Sequence, residues 1–445
     1  MLSGYRCGFT PRLFILVGFR QTISRMIDIK RILDEPELVA QNIKNRNKDI
    51  DISVATELHG ERLKAIETVQ TLRTRGNEIA SEIPKAGDNR EALIAEGKEL
   101  KAKVKEAEAK LSEVEEALGK ELRRYPNFLR EDVPIGPDES ANEVLRKFGE
   151  PTTFDFEPKD HLDLGEALDI IDMSSAAEVS GARFVYLKGD AVLLEFALVQ
   201  YAMQTAMAEG FVPVIPPHIV STQAMGAMGY LERGGEEEIY HLKNDDMVLI
   251  GTSEQSIGPM HMKQILDESK LPLRYLGFSP CYRREAGSYG KDTRGILRVH
   301  QFDKVEMFSF TTPEHSDEEH ELILSIEEKM MQGLNLPHQV VRLASGDTGS
   351  PSARTYDIET WMPGQGAYRE TSSTSNTTDF QTRRLNTRIR REGGNVFAHA
   401  LNGTAFAIGR TLIAIMENYQ QADGSIVVPE VLRGYVGKDR IEKRG

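Results

Sequence analysis

Four side chains within residues 278–308 have the chemistry to hold a nucleotide beside a small charged molecule: Arg283, Glu285, Phe302 and Glu306. The planar guanidinium of Arg283 offers several donors in fixed geometry, which suits phosphate and carboxylate groups together. Glu285 can accept from an amino group without neutralising that arginine. In an extended strand residues i and i+2 share a face, which predicts Arg283 and Glu285 side by side in one pocket. An isolated Arg-x-Glu triplet is ordinarily a surface ion pair, so it gains meaning only from its surroundings.

Three further groupings supply them. Thr252, Ser253 and Glu254 follow a short strand at 247–250. A hydroxyl and a carboxylate two residues apart can cradle an ammonium group, although the same pattern alone reads as a helix N-cap. Residues 368–376, YRETSSTSN, read as a Ser/Thr-rich loop in which Glu370 and the hydroxyls after it suit a hard cation such as Mg²⁺ bridging phosphates. Residues 401–412 end a strand and place Arg410 at the start of a helix, whose partial positive charge also favours a polyphosphate. The stretch 287–295, GSYGKDTRG, misses the spacing of a phosphate-binding P-loop and reads as a flexible basic hairpin loop that reaches toward a nucleic-acid end.

The chain that must position these groups has 445 residues, 40% hydrophobic and 28% charged, with a net charge of −14. That size predicts two or three domains, and the acidity excludes a general affinity for nucleic acid, so any such contact is local. No run approaches the ~18 consecutive apolar residues of a membrane-spanning helix, which predicts no membrane partner. Residues 1–27 differ from the rest. They carry Arg6, Arg12, Arg20 and Arg25, no acid, and Ser, Thr and bulky apolar residues between. That composition predicts a mitochondrial targeting segment and a matrix location. Cys7 and Cys281 are the two cysteines, too few for a disulfide framework or a zinc cluster, and no zinc is expected.

Between residues 58 and 122 the apolar positions alternate in steps of four and three, interrupted by Pro84, Gly87 and Asp88. Two heptad stripes around a tight turn predict an antiparallel helical hairpin at about 57–122. Arg62, Gly76 and Gly97 fall on the seam and predict local weakness, and the two glycines predict a bent or shorter coiled coil. Pro126 and the 133–137 segment VPIGP mark a linker, so the expected domains are 1–27, 28–135 and 136–445. Residues 191–209 read as a largely buried helix leading into the proline-dense strand 210–217. The remaining strands, at 247–250, 273–278, 297–310, 338–343 and 356–361, are interspersed with few helices before a late helix at 408–419. Without regular β-α-β repetition this predicts an α+β fold on an antiparallel sheet with flanking helices, plus the N-terminal hairpin arm.

Taken in order, the motifs closely resemble those of the seryl-tRNA synthetases, a family of class II aminoacyl-tRNA synthetases, and of the mitochondrial kind. PPHIV with Pro217 resembles the first class II motif, CYRREAGSYGKDTRGILRVHQFDKVEMF the second and LNGTAFAIGRTLIAIMENYQQADGSIVVPEVL the third. The hairpin resembles that family's tRNA-binding arm. The resemblance runs from about residue 28 to the C-terminus. Class II enzymes for threonine, proline and histidine carry a further C-terminal anticodon-binding domain, for which the 35 residues after Arg410 leave no room.

The resemblance implies ATP-dependent activation of L-serine and its transfer to the 3′-terminal adenosine of tRNA(Ser), by a homodimer using ATP and Mg²⁺. It implies an ATP site of Arg283, Arg284, Glu285, Val299, Phe302, Glu370, Thr371, Ser372, Ser373 and Arg410, with Arg283 and Arg410 catalytic. Arg283 would bridge the serine carboxylate and the α-phosphate, Glu285 read the adenine amino group, Phe302 stack on the ring and Arg410 hold the γ-phosphate. Glu370 and Ser373 would take Mg²⁺. The serine site would comprise Thr252, Ser253, Glu254, Arg283, Glu306, Asn402 and Thr404, with Thr252 and Glu254 on the ammonium and Glu306 and Thr404 on the hydroxyl. Two departures stand out: STSN where family members often read SCSN, and Ser253 where they often carry a small apolar residue. A non-catalytic, RNA-binding paralogue would lack one of the phosphate-gripping arginines or substrate carboxylates, and an amino-acid ligase that loads a carrier protein would lack the arm. Deleting about 58–122 is expected to leave serine-dependent adenylate formation intact while cutting tRNA charging by orders of magnitude, measured as aminoacylation beside ATP–pyrophosphate exchange.

Overall fold

The computed structural model describes residues 27–231, 235–286 and 294–443, which form two compact units. The targeting segment expected at 1–27 (Ile27 apart), with Cys7, lies outside the described residues, as does the 287–293 part of the basic loop.

One unit comprises the described residues up to Lys44 with Asp49–Tyr125. Its main feature is a pair of long helices, α1 (Ile52–Glu82) and α2 (Arg90–Arg123). α1 starts earlier than the heptads alone predict, because Asp51 caps it by accepting from the Ser53 amide. The 3₁₀ turns Ile83–Lys85 and Gly87–Asn89 reverse the chain, with Gly87 at φ +49°. Val69, Ile79, Leu93, Leu111 and Leu118 are buried along the predicted seam. Arg62, on the seam, is paired: its Nε lies 2.9 Å from Glu115 Oε1 on the facing helix. Both helices run unbroken through Gly76 and Gly97. A Cβ on Gly97 would stand 3.6 Å from Ile79 Cγ2, ordinary contact.

The second unit comprises residues 45–48 and everything described from Pro126 onward. It is built on an eight-stranded sheet of β1 (Glu143–Phe148), β2 (Val212–Val214), β3 (Leu273–Tyr282), β4 (Gln301–Thr311), β5 (His338–Arg342), β6 (Arg354–Met362), β7 (Ala367–Asn376) and β8 (His399–Ala407). The spatial order is β1-β5-β6-β7-β8-β4-β3-β2. Only the β2–β3 edge pair is parallel; the other neighbours are antiparallel. β7 occupies the stretch expected to be a Ser/Thr loop, because its hydroxyls are satisfied by neighbouring strands: Thr371 Oγ1 reaches Thr360 Oγ1 at 2.8 Å and Thr374 Oγ1 donates to Asn402 O at 2.9 Å.

Helices cover one face. α3 (His161–Ala167), α4 (Asp190–Ala208), α5 (Ser316–Gly333) and α6 (Ile408–Asn418) join the strands in a core that includes Leu164, Leu198, Met330, Phe406 and Leu412. α4 is long and apolar enough to cross a membrane by length and composition alone, yet Leu194, Leu198 and Ala202 are buried in this core. Along β4 the side chains alternate as a half-buried strand requires: Val305 and Met307 enter the core, while Phe302, Lys304 and Glu306 face the opposite side.

The sheet is not continuous across its middle. β7 pairs with β8 only from Thr374 to Asn376, and the earlier half of β7 pairs with β6 alone. The later half of β8, Thr404 to Ala407, pairs only with β4. The two strands therefore diverge toward the start of α6 and leave a wedge open to the side chains on either flank. Where they still pair, space is tight. A Cβ on Gly403 would come 2.3 Å from Ile323 Cγ2 and 2.7 Å from Glu327 Oε1. Gly403→Ala is expected to destabilise the protein by roughly 1–3 kcal/mol through overpacking. Gly97→Ala, in an open helical position, is expected to stabilise it by about 0.5–1 kcal/mol. Chemical denaturation of both variants checks the pair.

Candidate active site

A cavity of about 610 Å³ opens where β7 and β8 diverge. Its walls include Thr252, Glu254, Arg283, Glu285, Glu306 and Glu370, with Ser373, Asn402, Thr404 and Arg410. An adjoining recess is lined by Val299 and Phe302 together with Arg283 and Glu285. Residues spread over some 160 positions of sequence thus meet in one place.

At the floor lies a buried charged group. Lys304 Nζ is 2.6 Å from Glu306 Oε2, with side chains 8% and 1% exposed. Thr404 Oγ1 donates to Glu306 Oε2 at 3.1 Å. The register explains the meeting, since Thr404 on β8 sits opposite Glu306 on β4. Lys304 was not among the residues expected from sequence, although it shares the strand face of Phe302 and Glu306 and the two-residue period points to it.

Glu254 occupies one wall, at the first turn of the short helix Glu254–Ile257. Gln381 Nε2 donates to its Oε1 at 2.8 Å, and the Tyr230 hydroxyl also bonds to it. Burial, then repulsion from Glu306, raises Glu254 above the ordinary carboxylate range, against the opposing pull of Gln381, Lys304 and Tyr230. Ser253 makes no side-chain cap to this helix, but Thr252 Oγ1 accepts from the Glu254 amide at 3.4 Å, so the motif keeps a capping contact while Glu254 itself faces the cavity. Ser253 belongs elsewhere. It is fully buried and bonds Ser279 Oγ at 2.8 Å, behind the cavity rather than in it.

Arg283 and Glu285 do line one pocket, but not as neighbours on a strand. β3 ends at Tyr282, and Glu285 has the left-handed backbone φ of +51°. Arg283 Nε donates to Gly251 O at 3.2 Å, and its guanidinium lies 5.3 Å from the centre of the Phe302 ring. Arg298 pairs with Glu285 at 3.1 Å, a partner not anticipated. Arg284 is exposed and lines neither cavity.

Arg410 at the start of α6 spans the wedge to β7. Its Nη1 lies 3.1 Å from both the carbonyl and the Oε1 of Glu370. Glu370's surroundings disfavour its charge, but Arg410, then Arg283 and Lys304, outweigh that and hold it below the ordinary carboxylate range. Ser373 and Ser375 line the cavity from the same strand. Thr371 and Ser372 do not. The β6–β7 register slips at this point, leaving Thr371 as an extra residue, so the cavity-facing row passes from Ser373 to Glu370. Thr371 turns to Thr360 and Ile358, and Ser372 toward Ala405 O. Asp357, across from Ser373, is buried with Oδ1 lacking a hydrogen-bond partner. Glu370, Ser373 and Asp357 line one side with hard oxygens of the kind that Mg²⁺ takes.

Chemically, the cavity joins a carboxylate able to hold an ammonium, a buried polar floor able to bond a hydroxyl, and two arginines from separate elements able to hold phosphates. Comparison with known proteins identifies the family. Residues 26–129 match the family described as seryl-tRNA synthetase N-terminal domain, and 239–419 match the tRNA synthetase class II core domain (G, H, P, S and T). The serine–tRNA ligase of Dictyoglomus thermophilum is 48% identical over 94% of this chain and 100% of its own. The structure of seryl-tRNA synthetase from Pyrococcus horikoshii complexed with ATP superposes with a TM-score of 0.86 at 37% identity, covering 94% of this chain and 100% of that one. The cytoplasmic enzyme of Naegleria fowleri in complex with AMP gives 0.79 at 31%, over 94% and 99%.

Ionised Glu254 is the form that holds an ammonium. Because its pKa is raised, protonation as pH falls begins above the range of an ordinary carboxylate, and KM for the amino acid is expected to climb there while KM for ATP changes less. Glu254→Gln is expected to lose about 100-fold in kcat/KM and to flatten that dependence, as steady-state kinetics between pH 5 and 8 will test.

Proposed function

The chain belongs to the seryl-tRNA synthetase family of class II enzymes, and on that premise we propose how its cavity divides the work. Its activity is that of a serine–tRNA ligase: serine and ATP form seryl-adenylate and pyrophosphate, and the seryl group passes to the terminal adenosine of tRNA. The observation that carries the assignment of roles is the meeting of Arg283, from just past the end of β3, and Arg410, from the start of α6, in one cavity with the Lys304–Glu306–Thr404 group.

Serine enters with its ammonium against Glu254 and Thr252 and its hydroxyl on Glu306 and Thr404, with Asn402 beside them. Its carboxylate then faces Arg283. ATP lies with adenine against Phe302 and Val299, its amino group toward Glu285, and its terminal phosphate on Arg410. The carboxylate oxygen attacks the α-phosphorus, the bond to the bridging oxygen breaks, and pyrophosphate leaves. Arg283 touches both reactants and balances the charge that gathers on the phosphorus oxygens. Glu370 and Ser373 would hold a Mg²⁺ ion, which would supply positive charge to the phosphates. In the second step a hydroxyl of the terminal adenosine attacks the seryl carbonyl and AMP departs. No protein nucleophile is needed, and catalysis is positioning with electrostatics.

Three features complete the reading. The arm grips tRNA, supported by the match of residues 26–129 to the seryl-tRNA synthetase N-terminal domain. The enzyme is a homodimer, supported by Leu193, Phe196 and Met207 standing exposed on α4 beside exposed Val212 and Ile215 at the sheet edge. It works in the mitochondrial matrix, supported by four arginines and no acid in residues 1–27, ahead of nearly all the family match. Arg283→Ala is expected to reduce serine-dependent ATP–pyrophosphate exchange at least about 10³-fold while leaving the thermal midpoint within a few degrees. Near-wild-type exchange by that variant would defeat the assignment.

A further inference from the structure

We propose that His161 is a positioning residue for ATP, holding the returning limb of the arginine-bearing hairpin at the register the nucleotide requires; this rests on the function proposed above. His161 is the first residue of α3 and 4% exposed. Its Nδ1 lies 3.0 Å from Oε1 of Glu417, a fully buried carboxylate near the end of α6. The same oxygen accepts from the His161 amide at 3.1 Å, and Oε2 accepts from the Gly364 amide at 2.9 Å. With Nδ1–H donating to Glu417, Nε2 is left bare, and it accepts from the Ile296 amide at 3.1 Å. The imidazole therefore joins α6, whose first turn carries Arg410, to the backbone that leads into Leu297, Arg298 and Val299 of the nucleotide recess.

The surroundings leave little freedom in this link. Gly295 has φ +74°, and a Cβ there would fall 2.0 Å from His161 Nε2, so the chain passes directly over the ring. Arg294 pairs with Asp163 at 2.5 Å and Asp160 at 3.4 Å, two residues after His161 and one before it. A Cβ on Gly409, next to Arg410, would stand 3.4 Å from Ile296 O. The limb is thus held between α3 and α6 at Ile296, three residues before Val299. Releasing the Ile296 amide from Nε2 leaves a buried donor unpaired and lets Arg298 and Val299 drift from the adenine side. The serine floor, on β4 and β8, is not part of this link.

Two substitutions of similar polarity separate the hydrogen bond from simple packing. The amide of Gln reaches the place of Nε2, whereas that of Asn reaches only the place of Nδ1. His161→Asn is expected to weaken binding of a non-hydrolysable ATP analogue and raise KM for ATP, each about tenfold, with KM for serine within about twofold of wild type. His161→Gln is expected to stay within about threefold of wild type. Asn and Gln variants impaired alike, an unaffected Asn variant, or serine and ATP affinities falling together would each overturn the proposal. In the unmutated protein, slow hydrogen exchange of the Ile296 amide is expected, and exchange at the rate of an open loop would overturn it without any variant having to fold. Wild-type protein without serine-dependent exchange would overturn the function itself, whereas normal wild-type exchange with an unaffected Asn variant would overturn the positioning role alone.

Discussion

The site depends on a single buried cation. Lys304 lies against Glu306 with almost no exposure, and its charge also lowers the cost of ionising Glu254, Glu370 and the buried Glu327. A cavity with this many carboxylates would otherwise stay partly protonated and hold an ammonium poorly. With Lys304 fixed on Glu306, the floor becomes a polar group with spare hydrogen-bonding capacity, and Glu254 is left as the acid that faces the amine. The ion pair need not add stability, since burying two charges costs about as much as their attraction returns. What it supplies is a fixed pattern of donors and acceptors.

That pattern is reachable because the sheet comes apart in the right place. β7 and β8 pair for three residues and then diverge, so Glu370 and Ser373 look across an opening at Thr404 and the start of α6. Arg410 bridges the opening through Glu370, and Arg283 enters from the end of β3. Two arginines on separate elements can take different phosphates of one nucleotide, which a single arginine cluster would not do. The core on the other face, from Leu198 to Leu412, holds the strands in place while the wedge stays open.

Much of this was legible in the sequence, for physical reasons that differ by element. Heptad spacing exposed the helical arm because only one stripe of each helix is apolar. Phe302 and Glu306 were legible because a strand alternates, and the same rule reaches Lys304. Glu370 and Arg410 stood out by type and place. Side-chain direction was harder. Ser253 looks equivalent to Thr252 and Glu254 until Ser279, distant in sequence, takes its hydroxyl. Thr371 and Ser372 look equivalent to Ser373 until a register slip against β6 turns them away. Gln381 and Tyr230 reach Glu254 from distant segments and leave no local signal. The divergence of β7 from β8 is likewise a property of pairing, which one strand's sequence does not contain.

The most direct test of the account is the choice of amino acid. ATP–pyrophosphate exchange by protein comprising residues 28–445 should be driven by serine, with kcat/KM for alanine lower by about 10⁴-fold or more, because a floor built to bond a hydroxyl is left with unpaired buried groups when the hydroxyl is missing. Alanine activated within about tenfold of serine would contradict the account, since the Lys304–Glu306–Thr404 group would then not be reading the hydroxyl.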